Sequence, residues 1–244
     1  HISQEEAAVS WDANGNESTW LLNYKADGDE EWTEVPSLTE NTYTLTNLTA
    51  NTSYQVKVRA LCVDGQESEF SVEKSFTTLC EPMEELPFTE NFDSYASGAG
   101  NFPNCWIRQT NSTTNYPYIS SSYFVSPGLG LYFYASTTTY CYAALPELPE
   151  GVDVRELQVS LMARKGTTAT YKLELGMMSD PYDMSTYTVI QTISPAATST
   201  WEPFTIYLNS YQGEGRFIVL KTPSDAATTF YVDDIEVDYA PECI

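Results

Sequence analysis

Apolar residues recur at every second position through most of the chain, and this alternation marks a β-strand with one buried face. Val9 and Trp11 alternate, then Trp20, Leu22 and Tyr24, then Tyr43 and Leu45, then Tyr54, Val56, Val58 and Ala60. Polar turn-forming clusters separate these runs: Asp12 to Ser18, Ala26 to Glu30 and Val63 to Gly65. Further on, Leu131 and Phe133 alternate, as do Leu157, Val159, Leu161 and Ala163, then Leu173, Leu175 and Met177, then Phe204, Ile206 and Leu208. The run Phe217 to Leu220 does not alternate, which predicts a strand covered on both faces. Helical periodicity is almost absent. The pattern predicts an all-β protein, with a sandwich of short strands over roughly 80 residues and then a two-sheet jelly roll over roughly 160. The segment CEPMEELP from Cys80 to Pro87 interrupts the strand pattern between them.

One motif in the first region is specific. In LTNLTANTSYQVKVRA, Leu48 and Tyr54 stand six residues apart, with Thr52 two before the tyrosine. This spacing fits a tyrosine corner, in which the phenol returns to the backbone across a strand crossover and pins it. With Trp11 on an early strand and the closing SFTT of Ser75 to Thr78, residues 1–79 resemble a fibronectin type III domain, an immunoglobulin-like sandwich. Ala50 replaces the family's usual proline. Only His1 to Glu6 precede the strand of Trp11, so the first strand is expected to be truncated.

In residues 80–240 the pieces PFTENFDSY, FPNCW, ALPELPEG, LGMMSDPYDMSTYTVIQTI, a strand at Trp201 and FYVDDIEV follow one another. Their order resembles the cleaved-adhesin, or MAM-like, jelly rolls of exported proteins of Bacteroides-type bacteria, gingipain haemagglutinin–adhesin regions among them. Such proteins alternate fibronectin type III units with these jelly rolls. The resemblance therefore implies neighbouring modules of a longer chain, with residues 241–244 beginning a linker or the next module and Cys243 pairing downstream.

Charge narrows the partners. Eleven Lys and Arg against 34 Asp and Glu give a net charge of −23, which disfavours nucleic acid and anionic membrane surfaces. No apolar run approaches the ~20 residues of a membrane span, so no membrane insertion is expected. The single histidine is His1, which removes Ser-His-Asp and Cys-His nucleophile systems and imidazole zinc sites. The five cysteines have no CxxC spacing. Cys62–Cys80 would tie two strand ends of the first region and Cys105–Cys141 two strands of the second, or all five thiols are free. The acidic, Thr-, Ser-, Asn- and Tyr-rich composition reads as that of an exported protein, extracellular, at the cell surface or periplasmic.

Three stretches are candidates for chemistry. In FYVDDIEVD, Phe230 and Val232 share one parity and Ile235, Val237 and Tyr239 the other, so the apolar phase slips at Asp233–Asp234. A β-bulge is expected there, and two adjacent carboxylates on it are costly unless a cation or donors compensate. The adhesin resemblance implies a structural calcium tying the first strand of the jelly roll to the last, with Glu90, Asp93, Asp233 and Asp234 as ligands. The alternative is a solvated acidic strand end that protects an edge. Asp12, Asn14 and Asn16 imitate the start of an EF-hand loop, but Gly15 is misplaced and no closing Glu follows. Glu236 and Asp238 are alternate carboxylates on one strand, but Tyr239, Ala240 and Pro241 follow where a glycosidase motif needs a further Glu.

Aromatic residues crowd Tyr116 to Tyr142. Phe133 is expected in the core with Trp106, and Tyr132 and Tyr134 on the opposite face. Tyr116 and Tyr118, beside Asn115 and Pro117, are the candidates for contact with a sugar face. The expected role is a non-catalytic adhesion or binding module that recognises glycans or glycoproteins, with structural calcium. The alternative is an accessory or spacer segment of a secreted protease or glycoside hydrolase whose catalytic domain is elsewhere.

Overall fold

The computed structural model describes residues 1–242 apart from 14, 16, 63–65, 126 and 127. Asn14, Asn16, the turn Val63 to Gly65 and Cys243 therefore lie outside the described residues. The chain divides into two compact units, His1–Glu81 and Pro82–Ile244. No helix of the described residues is long and apolar enough to cross a membrane.

The first unit is built from β1 (Ala7–Ser10), β2 (Trp20–Ala26), β3 (Thr33–Leu38), β4 (Thr42–Leu45), β5 (Ser53–Ala60) and β6 (Lys74–Thr77). Strands β1 and β4 pair in one sheet, and the other runs β3-β2-β5-β6. Alternate residues from both sheets meet in a core of Ala7, Leu22, Leu45, Leu48, Tyr54 and Val56. Before β1, Ile2 forms a single bridge to Ala7. The Tyr54 ring stacks on Phe76 at 5.6 Å, and its hydroxyl accepts a 2.8 Å hydrogen bond from the Thr49 N–H. Thr78 closes the same crossover, its hydroxyl donating to the Thr49 carbonyl at 2.7 Å and accepting from the Thr52 N–H at 2.9 Å. The tyrosine corner is formed as its spacing predicts.

The second unit holds β7 (Phe88–Glu90), β8 (Ile107–Thr110), β9 (Tyr118–Ser120), β10 (Gly130–Ala135), β11 (Cys141–Ala144), β12 (Leu157–Lys165), β13 (Leu173–Met178), β14 (Thr188–Ile193), β15 (Glu202–Tyr207), β16 (Phe217–Lys221) and β17 (Thr228–Tyr239). The larger sheet runs β15-β12-β17-β10-β9, with β7 also paired to β17, and the second runs β14-β13-β16-β11-β8. All strand pairs are antiparallel. One core lies between the sheets. Leu131, Phe133, Val159, Leu161, Phe230 and Val232 enter it from the larger sheet, and Leu173, Leu175, Met177, Ile218 and Leu220 from the other. Strand β16 is buried at every position, as its unbroken apolar run predicts. Trp106 is in the core, edge-on to Phe92. Tyr142 is also buried, but its hydroxyl donates to the Pro181 carbonyl at 2.8 Å, and its neighbours Cys141 and Ala143 are the β11 residues that join the core.

The cysteine pairings suggested by strand position are not formed. Cys62 and Cys141 are free thiols, and Cys80 and Cys105 are disulfide-bonded. Cys141 faces inward from β11, fully buried, and its thiol donates to the Tyr134 carbonyl, while Cys62 is exposed just beyond β5. Burial pushes the Cys141 thiol up to about 11.

Two outcomes are expected. Tyr54→Phe orphans the Thr49 N–H and lowers the stability of the first unit by about 1–2 kcal/mol, read by denaturant unfolding with amide-resolved detection. Under native, non-reducing conditions iodoacetamide labels Cys62 and spares Cys141, and denaturant opens Cys141 to labelling while Cys80 and Cys105 stay unmodified in the peptide mass map.

Candidate binding face and acidic cluster

A strand that sends one set of side chains into the core must send the other set outward. In the larger sheet the residues between the core positions are Tyr118 on β9, Tyr132 and Tyr134 on β10, Tyr231 on β17 and Arg164 on β12. Register lines four of them up. Tyr118 pairs with Tyr132, Tyr132 with Tyr231, and Tyr231 with Arg164. Adjacent strands lie about 4.8 Å apart, so a row of large side chains in register forms a continuous surface. Tyr118 meets Tyr132 edge-on at 4.9 Å, and Tyr132 meets Tyr231 at 5.1 Å. Tyr123, from the segment between β9 and β10, stacks edge-on against Tyr231 at 4.8 Å. Its ring also lies 3.5 Å from the Arg164 guanidinium.

The row is only partly sealed. Tyr123 and Tyr134 are 43% and 42% exposed, while Tyr231 is buried. Burial, reinforced by the neighbouring phenols, raises the pKa of Tyr132, and burial followed by Tyr123 raises that of Tyr231. Both therefore stay neutral through the physiological range and act as hydrogen-bonding groups with apolar faces. Tyr116 is exposed in the loop before β9, with the Arg108 guanidinium 5.7 Å from its ring. Of the two tyrosines singled out in the sequence, Tyr118 is a strand residue inside the row, and Tyr116 lies in the loop leading to it. Tyr132 and Tyr134 face away from the core, as expected.

The acidic stretch sits on the same strand as Tyr231. The β12–β17 register shifts between Ser160 and Met162, and Asp234 takes a left-handed φ of 47°. The phase slip in the sequence is thus a bulge, and it lets Phe230, Val232, Ile235 and Val237 all reach one core. Tyr239, which shares parity with Ile235, runs out at the strand end and is exposed. Asp233 is fully buried. Its carboxylate accepts the Val125 N–H and the Asp234 N–H, each at 2.8 Å. Burial pushes its pKa up to about 6, with the charges of Asp234 and Asp93 adding to the rise and the two N–H bonds opposing it. The pKa of Asp234 is also raised, by burial and by Asp93.

Asp93 accepts the Leu129 N–H at 3.0 Å. Glu90 is turned elsewhere: its two oxygens accept the Phe92 N–H at 2.7 Å and the Tyr95 hydroxyl at 2.8 Å. Those bonds hold Phe92, a buried residue with a left-handed φ of 61°, in its turn. Strand β7 does pair with β17, Glu90 standing opposite Ile235. The fold therefore brings Asp93, Asp233 and Asp234 within electrostatic reach of one another, and Glu90 serves its own turn. One buried and two exposed carboxylates are the all-oxygen donor chemistry that a hard cation takes. Among the described residues, however, no group of three or more His, Cys, Asp or Glu is spaced to hold a metal ion. A cation there would have to draw in Asp93 and Asp234, both exposed.

Arg164 and Tyr123 were not singled out by sequence reasoning. Arg164 sits in LMARK, which reads as the charged end of a strand, and Tyr123 comes from a loop whose docking no local pattern reports.

The family model for the fibronectin type III domain matches residues 1–76. No curated protein matches the chain. Among solved structures, the K2 cleaved adhesin domain of Lys-gingipain is similar at a TM-score of 0.50 and 12% identity, over 62% of this chain and 98% of that one. The K1 cleaved adhesin domain of Lys-gingipain from Porphyromonas gingivalis W83 gives 0.48 and 12%, over 64% and 100%. The CBM22-1 xylan-binding domain of Paenibacillus barcinonensis Xyn10C gives 0.44 and 12%, over 62% and 92%. The K2 likeness establishes a shared β-sandwich fold.

Asp233 makes the stability of the second unit pH-dependent. Its folded pKa of about 6 lies above the unfolded value near 3.8, so the native state holds the proton more tightly than the unfolded chain. The contribution of Asp233 to stability is full below about pH 4 and is lost as pH rises through about 6, by on the order of 2–3 kcal/mol. With chelator present, the denaturation free energy of the second unit is expected to fall across this window, and Asp233→Asn to flatten the fall.

Proposed function

We propose that the second unit is a non-catalytic, saccharide-binding adhesion module of an exported protein, with the outer face of its larger sheet as the binding surface. The first unit is a spacer. The observation that carries this reading is the register-aligned row Tyr118–Tyr132–Tyr231, extended by Tyr123. Neutral aromatic faces stack on the C–H faces of pyranose rings, and phenol hydroxyls supply hydrogen bonds, so recognition needs no titrating catalyst. Glycoproteins carrying such sugars are the expected partners, and Tyr116 is the contact offered by the loop leading into β9. The fold likeness to a cleaved adhesin domain is consistent with this role.

A structural calcium at Asp93, Asp233 and Asp234 belongs to the same reading, supported by the buried carboxylate of Asp233 facing two others. When bound, the ion would neutralise this cluster. Asp233 would hold the cation at β17, and Asp93 would tie to it the turn that follows β7.

A glycan and mucin array with the intact chain is expected to give a reproducible hit on one sugar class. Tyr132→Ala is expected to weaken that hit roughly five- to tenfold while leaving the melting of the first unit unchanged. An array blank for wild type, or a hit insensitive to Tyr132, argues for a different surface. Calcium is expected to raise the melting temperature of the second unit over that in chelator, and Asp234→Ala to remove the difference. Superimposable curves in calcium and chelator would mean that the carboxylates serve only the bulge.

A further inference from the structure

Among the described residues Arg164 has no counter-charge, in a chain that carries 34 acidic residues. It is nine-tenths buried on the outer face, yet it enters none of the ion pairs among the described residues. Its Nη1 is shielded from solvent and has no hydrogen-bond partner. A buried, unpaired N–H on a charged group is destabilising, and the Tyr123 ring at 3.5 Å offsets part of this through its π face but gives the N–H no acceptor. Other buried or half-buried cations of this unit are satisfied: Lys165 donates to the Ala169 carbonyl, and Lys221 to Glu174, to the Thr222 carbonyl and to Ser224. Arg164 is the exception, and it stands at the end of the tyrosine row.

We infer that Arg164 reads a carboxylate on the bound sugar, so that the face selects saccharides with a uronic- or sialic-acid-type residue over neutral ones. This rests on the saccharide-binding reading of the same face. A guanidinium offers a planar fork of donors that matches a carboxylate in two-point contact, which a hydroxyl cannot reproduce. The tyrosines alongside take the ring that carries the acid. Access to Nη1 requires the Tyr123 side chain to turn aside, and that ring is 43% exposed and held by stacking. The net charge of −23 restricts the ligand further. A densely sulfated or fully uronic chain would be repelled as a whole, whereas a single carboxylate seated on Arg164 is repelled little at physiological ionic strength, where screening acts over about 8 Å. The preferred ligand is a mostly neutral glycan bearing an isolated acid.

The test is calorimetric titration of the intact chain with two matched pairs: an oligosaccharide with one uronic acid against its carboxyl-reduced form, and a sialylated oligosaccharide against its desialylated form. In at least one pair the acid is expected to bind on the order of tenfold tighter or more, and the pair that does so identifies the source of the carboxylate. Arg164→Met, which keeps an unbranched apolar stem and removes the guanidinium, is expected to erase the preference while the neutral partner still binds. If that variant does not fold, the matched pairs on the unaltered chain still decide. Equal affinity within both pairs, with binding retained, overturns the carboxylate inference and leaves the saccharide face standing. Failure of all four sugars to bind overturns both.

Discussion

Strand β17 is hydrogen-bonded to β12 along most of its length, to β10 over its first half and to β7 over its second. It must bury apolar residues on the core side in both halves. Its sequence supplies them out of phase, and a one-residue bulge at Asp233–Asp234 restores the phase. Most of what distinguishes the outer face follows from this constraint. The bulge leaves Asp233 buried opposite the core, where backbone N–H groups of Val125 and Asp234 cap it. It also fixes the register that sets Tyr231 between Tyr132 and Arg164.

The same stretch between β9 and β10 covers both features. Val125 donates to Asp233, and Tyr123 lies over Arg164 and against Tyr231. The acidic cluster and the aromatic row are therefore coupled through a few residues of backbone. The Val125 N–H bond to Asp233 thus ties the acidic cluster to the segment that presents Tyr123. In this account the carboxylates shape the binding face without touching the ligand.

Much of the architecture is legible in local pattern, because side-chain alternation directly encodes which face is buried. The core positions Leu157, Val159, Leu161 and Ala163, and those of β13 and β10, are the ones the alternation picks out. The tyrosine corner is legible because its partners lie within a few residues of one another. The aromatic row is not, because it depends on register among β9, β10, β17 and β12, and nothing within any single strand states which residues stand opposite. Arg164 is hidden for the same reason: a lone Arg after Ala163 looks like a solvated strand end until Tyr123 is seen above it. The cysteine pairings failed because proximity was inferred from strand order, whereas the facing of each side chain decides it, Cys141 inward and Cys62 out to solvent.

The central claim is that the tyrosine row of the larger sheet is the surface that meets ligand. Tyrosine ring resonances followed by NMR during titration with an acid-bearing oligosaccharide address it residue by residue. The account predicts that Tyr118, Tyr123, Tyr132 and Tyr231 shift together and saturate at one affinity, while Tyr24 and Tyr54 of the first unit stay fixed. Shifts confined to other tyrosines, or no shift at saturating sugar, would contradict it.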